Sequence, residues 1–419
     1  MHITLLAYGS RGDVEPFVAL GKGLLRAGYR VRLAAPAVFS SLVTSAGIDF
    51  VGLPGEPDQL VQGLVDTAGR SPPRMIGAVS RFVVPLAARV FEAVQAACQD
   101  TDAVIHSFLL TLAGYEVARE RGVPDISVQL FPVFCRTVEF PGIVLPDLPL
   151  GGLYRSVTHR IVSQAFWQAS RILYRRVRRS NPHLPRLTGW PFDAKNDRSP
   201  PILYAFSPQV VSRPQDWPDD VHVTGYLVWD HMGDWQPPQE LVDFLDAGPP
   251  PVCVAFGSTV TRHREKLTRI VLEALAISRW RGVLVGTRRP VEVVSDDVLG
   301  LDYAPYSWLF PRMAGVVHHG GAGTTGKGLR AGIPNAVVPF TSDQPFWGRR
   351  VHELGAGPEP IPAPRISAKR LAEAIGAVTN DGDMRRRAEL IGEAIRAEDG
   401  VGEAIGIIGR YLDVKQAGG

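Results

Sequence analysis

Apolar and polar residues alternate between two periods along this chain. The opening "MHITLLAYGS" enters a nearly continuous apolar run at once, which predicts a buried strand. "PFVALGKGLLRAG" then changes to helical spacing, with Pro16 in the expected first turn and Gly28 past the end. "YRVRLAAP" returns to strand, so the first residues make one βαβ unit. The same succession follows in "DAVIHSF", "TLAGYEVARERGVP" and "DISVQLF", and the strand-like "ILYAF" closes the series near Phe206. Alternation of this kind predicts a parallel sheet covered on both faces.

A second series starts at "PPVCVAFGS" and runs through "EKLTRIVLEALAISR", "GVLVG", "AGVVHH", "NAVVPF" and "PFWGRRVHELG". Between the two, "DWPDDVHVTGYLVWDHMGDWQPPQE" mixes Pro, Asp, Trp and Gly without period, as linkers and turns do. The expected organisation is therefore α/β: residues 1–229 as one domain, 230–238 as linker and 239–419 as a second domain. Ligands of such sheets bind at the carboxyl ends of the strands, which places function in a cleft between the domains. Ser367 is the expected N-cap of a helix over "AKRLAEAIGAV", and the last segment, "GEAIGIIGRYLDV", is amphipathic enough to pack on the neighbouring domain.

Composition narrows the partners. The chain has 419 residues, a formal charge of +3 and 21% charged residues, too weak a positive excess for a nucleic-acid binder. Cys98, Cys135 and Cys253 are isolated, which suggests neither a disulfide framework nor a C-x-x-C metal site and fits a reducing cytoplasm. No secretory leader is legible at the start, and no run is long enough to span a bilayer. The segment "LYRSVTHRIVSQAFWQASRILYRRVRRS" joins Ile161, Phe166, Trp167 and Ile172 to a set of arginines. A solvated outer face over a buried stripe is its favoured use, with contact to an anionic membrane as the alternative.

Five loops carry candidate chemistry. "GSRGDVEP" lacks the G-x-G-x-x-G spacing of dinucleotide sites, but sets Asp13 beside a helix start, where it serves either as a cap or as a general base. "FGS" offers the Ser258 hydroxyl after a strand. "DYAPYSWLFP" gives Tyr303, Ala304 and Tyr306 as flat faces and backbone groups for a base. "VVHHGGAGTTGKG" approaches the P-loop pattern, yet Gly328 stands where the magnesium-binding hydroxyl belongs. Glycines that let backbone amides approach, a helix start near Thr324 and a histidine instead suit a diphosphate. "SDQP" sets Asp343 and Gln344 as a donor and acceptor fork for sugar hydroxyls, helix capping being the other use of Asp343. The D-x-D triplet 381–383 lies between helical segments and reads as a turn, so no metal is expected.

On "GSRGDVEPFVALGKGL", "HHGGAGTT" and "SDQPFWGRRVHELGAGP" the chain resembles the inverting, metal-independent family 1 glycosyltransferases of GT-B fold, in the branch with glycopeptide, macrolide and sterol enzymes. The resemblance covers nearly the whole chain. It implies two Rossmann-like domains, with the C-terminal helix packing back on the first. It implies Asp13 as catalytic base, and His319, Gly321, Ala322, Gly323, Thr324 and Ser258 around the donor diphosphate. Tyr303, Ala304 and Tyr306 would meet the base, and Asp343 and Gln344 the sugar. The first domain would shape the acceptor pocket, where His106, Phe131 and Phe134 are candidates beside Phe82 and Phe140. Relatives prefer small apolar residues where this chain has Gly326, Lys327 and Gly328, and the sequence assigns Lys327 no role.

The implied reaction is transfer of a hexose, with glucose favoured, from a UDP- or dTDP-sugar to a hydroxyl of a bulky apolar molecule such as a polyketide or sterol. No further cofactor is expected, and the enzyme is expected as a cytoplasmic monomer or weak homodimer. A nucleotide-sugar epimerase of the same fold and a non-catalytic sugar-nucleotide-binding partner are the rival readings.

Overall fold

The computed structural model describes residues 1–55, 83–182, 184, 186–187, 189–193, 199–230, 233, 235–256, 264–287 and 290–417. Ser258 and Phe82 lie outside them. Contacts divide the chain into two units, one of residues 1–205, 213–229 and 399–419, the other of 206–212 and 230–398. Each unit is built around one sheet.

In the first unit, β1 (His2–Leu6), β2 (Arg30–Pro36), β3 (Asp49–Leu53), β4 (Ala103–His106), β5 (Asp125–Gln129), β6 (Ile202–Tyr204) and β7 (Val221–Val223) lie in the order 3-2-1-4-5-6-7. All are parallel. The interior strands β1, β4 and β5 are buried along their whole length, as a sheet covered on both faces requires. β7 comes from the stretch that reads as linker, because three residues are too few to show a period.

In the second unit, β8 (Val252–Ala255), β9 (Gly282–Val285), β10 (Val291–Ser295), β11 (Val298–Leu301), β12 (Gly315–His318) and β13 (Asn335–Val337) lie in the order 10-11-9-8-12-13. Only β10 is antiparallel, paired to β11 at the edge. In both sheets the strand order reverses beside one central strand. β1 has β2 on one side and β4 on the other; β8 has β9 and β12. Strand connections leave in opposite directions there, which opens a crevice at the carboxyl ends.

Two boundaries differ from expectation. The first helix is Arg11–Arg26, so Pro16 lies inside it rather than in its first turn. The ring removes one intrahelical bond, on a part of the helix where Gly12, four residues before it, is exposed. The chain end lies within the span 239–419 assigned to the second domain, but its helix packs back on the first unit, as expected of it. Helix Gly400–Ala417 buries Ala404, Ile407, Ile408 and Leu412 in the core that also holds Phe17, Leu20 and Leu24. Gly23 makes this docking possible, since a Cβ there would come within 2.4 Å of Val401 Cγ1 and 2.7 Å of Ile405 Cδ1.

Residues 206–212 cross in the other sense. Phe206 packs edge-on against Trp347 at 5.7 Å, and Arg350 donates to the Val210 carbonyl at 2.7 Å. Ser367 caps helix Ala368–Asn380 through the Arg370 N–H at 3.3 Å, as its position predicts. Asp381 accepts from the backbone of Asp383 and Met384, both at 2.9 Å, and caps helix Gly382–Arg396. Among the described residues, no helix is long and apolar enough to cross a membrane.

Candidate active site

Asp13 follows the loop that leaves β1, at the reversal point of the first sheet. It is the third residue of helix Arg11–Arg26, inside the turn rather than just before it. Its Oδ2 accepts from the Ser10 backbone N–H at 2.7 Å and the Ser10 hydroxyl at 2.8 Å, which fixes the carboxylate to the helix start. Gly9 leaves the space for it. Gly9 has φ +141°, and a Cβ there would stand 2.4 Å from Asp13 Oδ2. Neither Gly9 nor Ser10 is singled out by sequence, although both are in the "GSRGD" that carries Asp13.

His106 ends β4, on the other side of the reversal. The sequence places it at the acceptor, but the structure turns it inward: it has no exposed surface, its Nε2 meets Asp125 Oδ2 at 3.1 Å, and Gly114 of the covering helix lies against the ring. A bound molecule cannot reach it in this arrangement. A strand end can aim a side chain either way, and helix Thr111–Arg121 supplied a gap at Gly114 that the imidazole fills.

Phe131 and Phe134 belong to a cluster of aromatic rings beyond the same strand ends. Phe108 contacts Phe131 at 5.0 Å and Phe134 at 5.6 Å, and Phe134 stacks on Phe192 at 4.7 Å. Phe166 and Trp190 complete the cluster around Phe134 at 5.3 and 5.2 Å. Phe134 has φ +75°, an uncommon backbone conformation for a bulky residue. Phe108, Phe166 and the close pair Trp190 and Phe192 come from three distant parts of the chain, so no local pattern announces the cluster. Phe140 lies apart from it, edge-on to Trp217 and His159.

In the second unit, β12 delivers both histidines at the reversal between β8 and β12, and they do different work. His318 is fully buried; its Nδ1 accepts from the Gly320 N–H at 3.0 Å, so Nε2 carries the proton and donates to Asn335 Oδ1 at 3.0 Å. Burial drives its pKa down to about 3, and it is a neutral brace for the loop. His319 emerges into the loop. Burial lowers its pKa to about 4, with the Ala255 carbonyl pulling weakly the other way. Its Nε2 lies over Gly321, where a Cβ would come within 2.6 Å.

Gly321 is the N-cap of helix Ala322–Ala331, so the free amides of Ala322, Gly323 and Thr324 surround the same point as the imidazole. Among the described residues, His319 Nδ1 and the Thr325 hydroxyl are buried without a hydrogen-bond partner. Gly328 has a structural cause: a Cβ there would stand 2.1 Å from Asn335 Oδ1, the atom that holds His318. The position where a P-loop needs a hydroxyl is thus given over to bracing the histidine loop. Lys327 gains a place as well, its Nζ 5.9 Å from the centre of the Tyr306 ring.

Tyr306 stacks on Phe310 at 4.4 Å, Ala304 beside it is buried, and Tyr303 stands well exposed. The last loop is tighter than its sequence suggests. Gln344 Oε1 accepts from the Phe340 N–H at 2.7 Å and the Thr341 N–H at 3.1 Å, and Asp343 Oδ2 accepts from Trp347 Nε1 at 2.8 Å. Each side chain therefore spends one oxygen on the loop itself. Ser342 between these partners has φ +60°, strain that the bonds on either side hold in place.

Residues 3–138 match the family model described as glycosyltransferase family 28 N-terminal domain, and residues 283–406 match erythromycin biosynthesis protein CIII-like, C-terminal domain. Over 99% of its length the chain is 36% identical to O-mycaminosyltylonolide 6-deoxyallosyltransferase of Streptomyces fradiae, 98% of which it covers. The chain belongs to the GT-B glycosyltransferases. This glycosyltransferase is also 35% identical, over 98% of its length, to sterol 3-beta-glucosyltransferase UGT80A2 of Arabidopsis thaliana, of which it spans 66%. Its fold is that of the glycosyltransferase VinC, solved in complex with dTDP, at a TM-score of 0.65 and 20% identity over 99% of this chain and 100% of that one.

Proposed function

We propose that this glycosyltransferase moves a hexose from a UDP- or dTDP-sugar to a hydroxyl of a bulky apolar molecule of macrolide or sterol type, with inversion. The observation that carries this reading is the carboxylate of Asp13, pinned by Ser10 over the open Gly9 at the reversal point of the first sheet. Asp13 takes the proton of the acceptor hydroxyl as that oxygen bonds to the anomeric carbon. The bond from that carbon to the diphosphate breaks on the opposite face, and both electrons leave with the nucleotide diphosphate.

The departing charge is met by the amides at the start of helix Ala322–Ala331 and by His319. His319, whose pKa burial lowers, meets a phosphate oxygen as a hydrogen-bond donor. Tyr303 and Tyr306 offer faces to the base. Gln344, whose carbonyl is already engaged, offers its NH2 group to a sugar oxygen, while Asp343 accepts from a sugar hydroxyl. A sugar with adjacent 3- and 4-hydroxyls satisfies that pair better than one lacking either. Phe131, half-buried in the aromatic cluster, supplies flat apolar surface for the acceptor, while Phe134, buried among Phe108, Phe166, Trp190 and Phe192, backs that surface rather than lining it. Ser258 is kept as a further diphosphate contact on the resemblance alone.

The test is a mass-spectrometric screen of UDP- and dTDP-hexoses against macrolide aglycones and sterols. A product heavier than the acceptor by one hexose residue, with inverted anomeric configuration by NMR, is the expected result. A sugar nucleotide altered at one centre with no acceptor consumed would point to an epimerase instead and end this reading.

A further inference from the structure

Helix Gly151–Ser180 contains seven arginines and no acidic residue. The whole chain has 45 Lys and Arg against 42 Asp and Glu, so the rest of the molecule is net acidic and this one helix carries its positive excess. The apolar residues of the helix are divided between two sides. Phe166 and Trp167 reach the aromatic cluster, and Tyr174 and Val177 are buried. Leu153, Val157, Ile161 and Ile172 are not part of that buried stripe: Leu153 is 80% exposed, Ile161 56% and Ile172 54%.

The spacing arranges these exposed residues further. Leu153, Val157 and Ile161 recur every fourth position on one stripe, and about five turns along it the same stripe carries Arg171, Arg175 and Arg179. One outward face is therefore aliphatic at one end and basic at the other, the ends about 27 Å apart at the helical rise. A second copy of the chain is a poor occupant, since an antiparallel twofold contact would cover the aliphatic row of each copy with the arginine row of the other, and a parallel one would set arginine rows against each other. A convex row of aliphatic side chains beside guanidinium groups matches the boundary of an anionic bilayer, where acyl chains lie under phosphates that accept paired N–H donors.

We propose that this face seats the enzyme on an anionic membrane, with Leu153, Val157 and Ile161 entering the headgroup boundary and Arg171, Arg175 and Arg179 holding lipid phosphates. Phe166 lies on the opposite side of the same helix and Trp167 on its flank, so the aromatic cluster comes within about one helix diameter, ~10 Å, of the lipid surface. The binding is independent of turnover and is read without substrate.

The experiment is sedimentation of the full chain with vesicles of phosphatidylcholine alone and of phosphatidylcholine mixed with phosphatidylglycerol, at low and high salt. Binding to the phosphatidylglycerol vesicles at low salt, weak on phosphatidylcholine alone, is expected. The triple variant R171Q/R175Q/R179Q should bind roughly a hundredfold more weakly, and L153S/V157S/I161S at least about tenfold more weakly. No sedimentation with phosphatidylglycerol overturns the proposal. So does dependence on the arginines alone, which would mark a surface for a soluble polyanion. Should a triple variant fail to fold, the single Leu153→Glu, at a largely solvent-exposed position, replaces it; unchanged binding by that variant is equally fatal.

Discussion

Asp13 depends on two neighbours for its place, and each gives a separate handle on it. Asp13→Asn keeps the shape and the contact with Ser10 but cannot take a proton, so transfer should fall by about 10²–10⁴-fold with nucleotide affinity and melting temperature nearly unchanged. Turnover at the original rate in that variant would show that the base lies elsewhere. Gly9→Ala adds a methyl group where Oδ2 now sits, at a φ unfavourable to alanine, and should lose both activity and some stability. The buried histidines make a prediction in pH. An unfolded His318 takes up its proton near pH ~6.5, whereas the folded one does so only at about 3. Between these values the unfolded chain binds more protons, so the stability from keeping His318 neutral is complete above pH ~6.5 and declines as pH falls, by about 1.4 kcal/mol per unit. His319, lowered to about 4, adds in the same direction. Urea midpoints should be level above neutrality and fall between pH ~6.5 and ~4, with a shallower fall in His318→Gln.

Among the elements, the helix Gly400–Ala417 tests how packing overrides chain order. Gly23→Val should push against Val401 and Ile405, cost about 1–3 kcal/mol and lower the melting temperature, and Ile405→Ala in the same chain should restore part of the loss. An unchanged melt in the single variant would mean that the two helices do not rely on this close approach. The helix itself was legible from its amphipathic pattern, and so was Ser367 as a cap, because both are local properties. Pro16 misled at the same scale: proline usually marks the first helical turn, but Ser10 and Asp13 offered a better start five residues earlier. The edge pair β10 and β11 escaped notice since "VEVVSDDVLGL" is short, half exposed and ambiguous in period.

For the whole molecule, the division into units predicts how it can be cut. Residues 1–229 alone leave uncovered the core surface that Ala404, Ile407, Ile408 and Leu412 bury, and should be recovered mainly as aggregate. A peptide of residues 399–419 supplied during refolding should restore soluble protein, measured by gel filtration; equal recovery without it would count against the assignment of the chain end to the first unit. Two parallel-sheet halves, the glycine-rich turn after β12 and the place of Asp13, our proposed base, beside β1 were legible in the sequence itself, because periodicity, glycine spacing and a strand-end carboxylate are written within a few residues of one another. Which histidine faces the loop, why position 328 is glycine, where Lys327 points and whether His106 is open or sealed were decided only by tertiary structure. Each depends on a residue distant in the chain, Asn335, Tyr306, Gly114 or Asp125, whose approach is set by packing between elements and leaves no local trace.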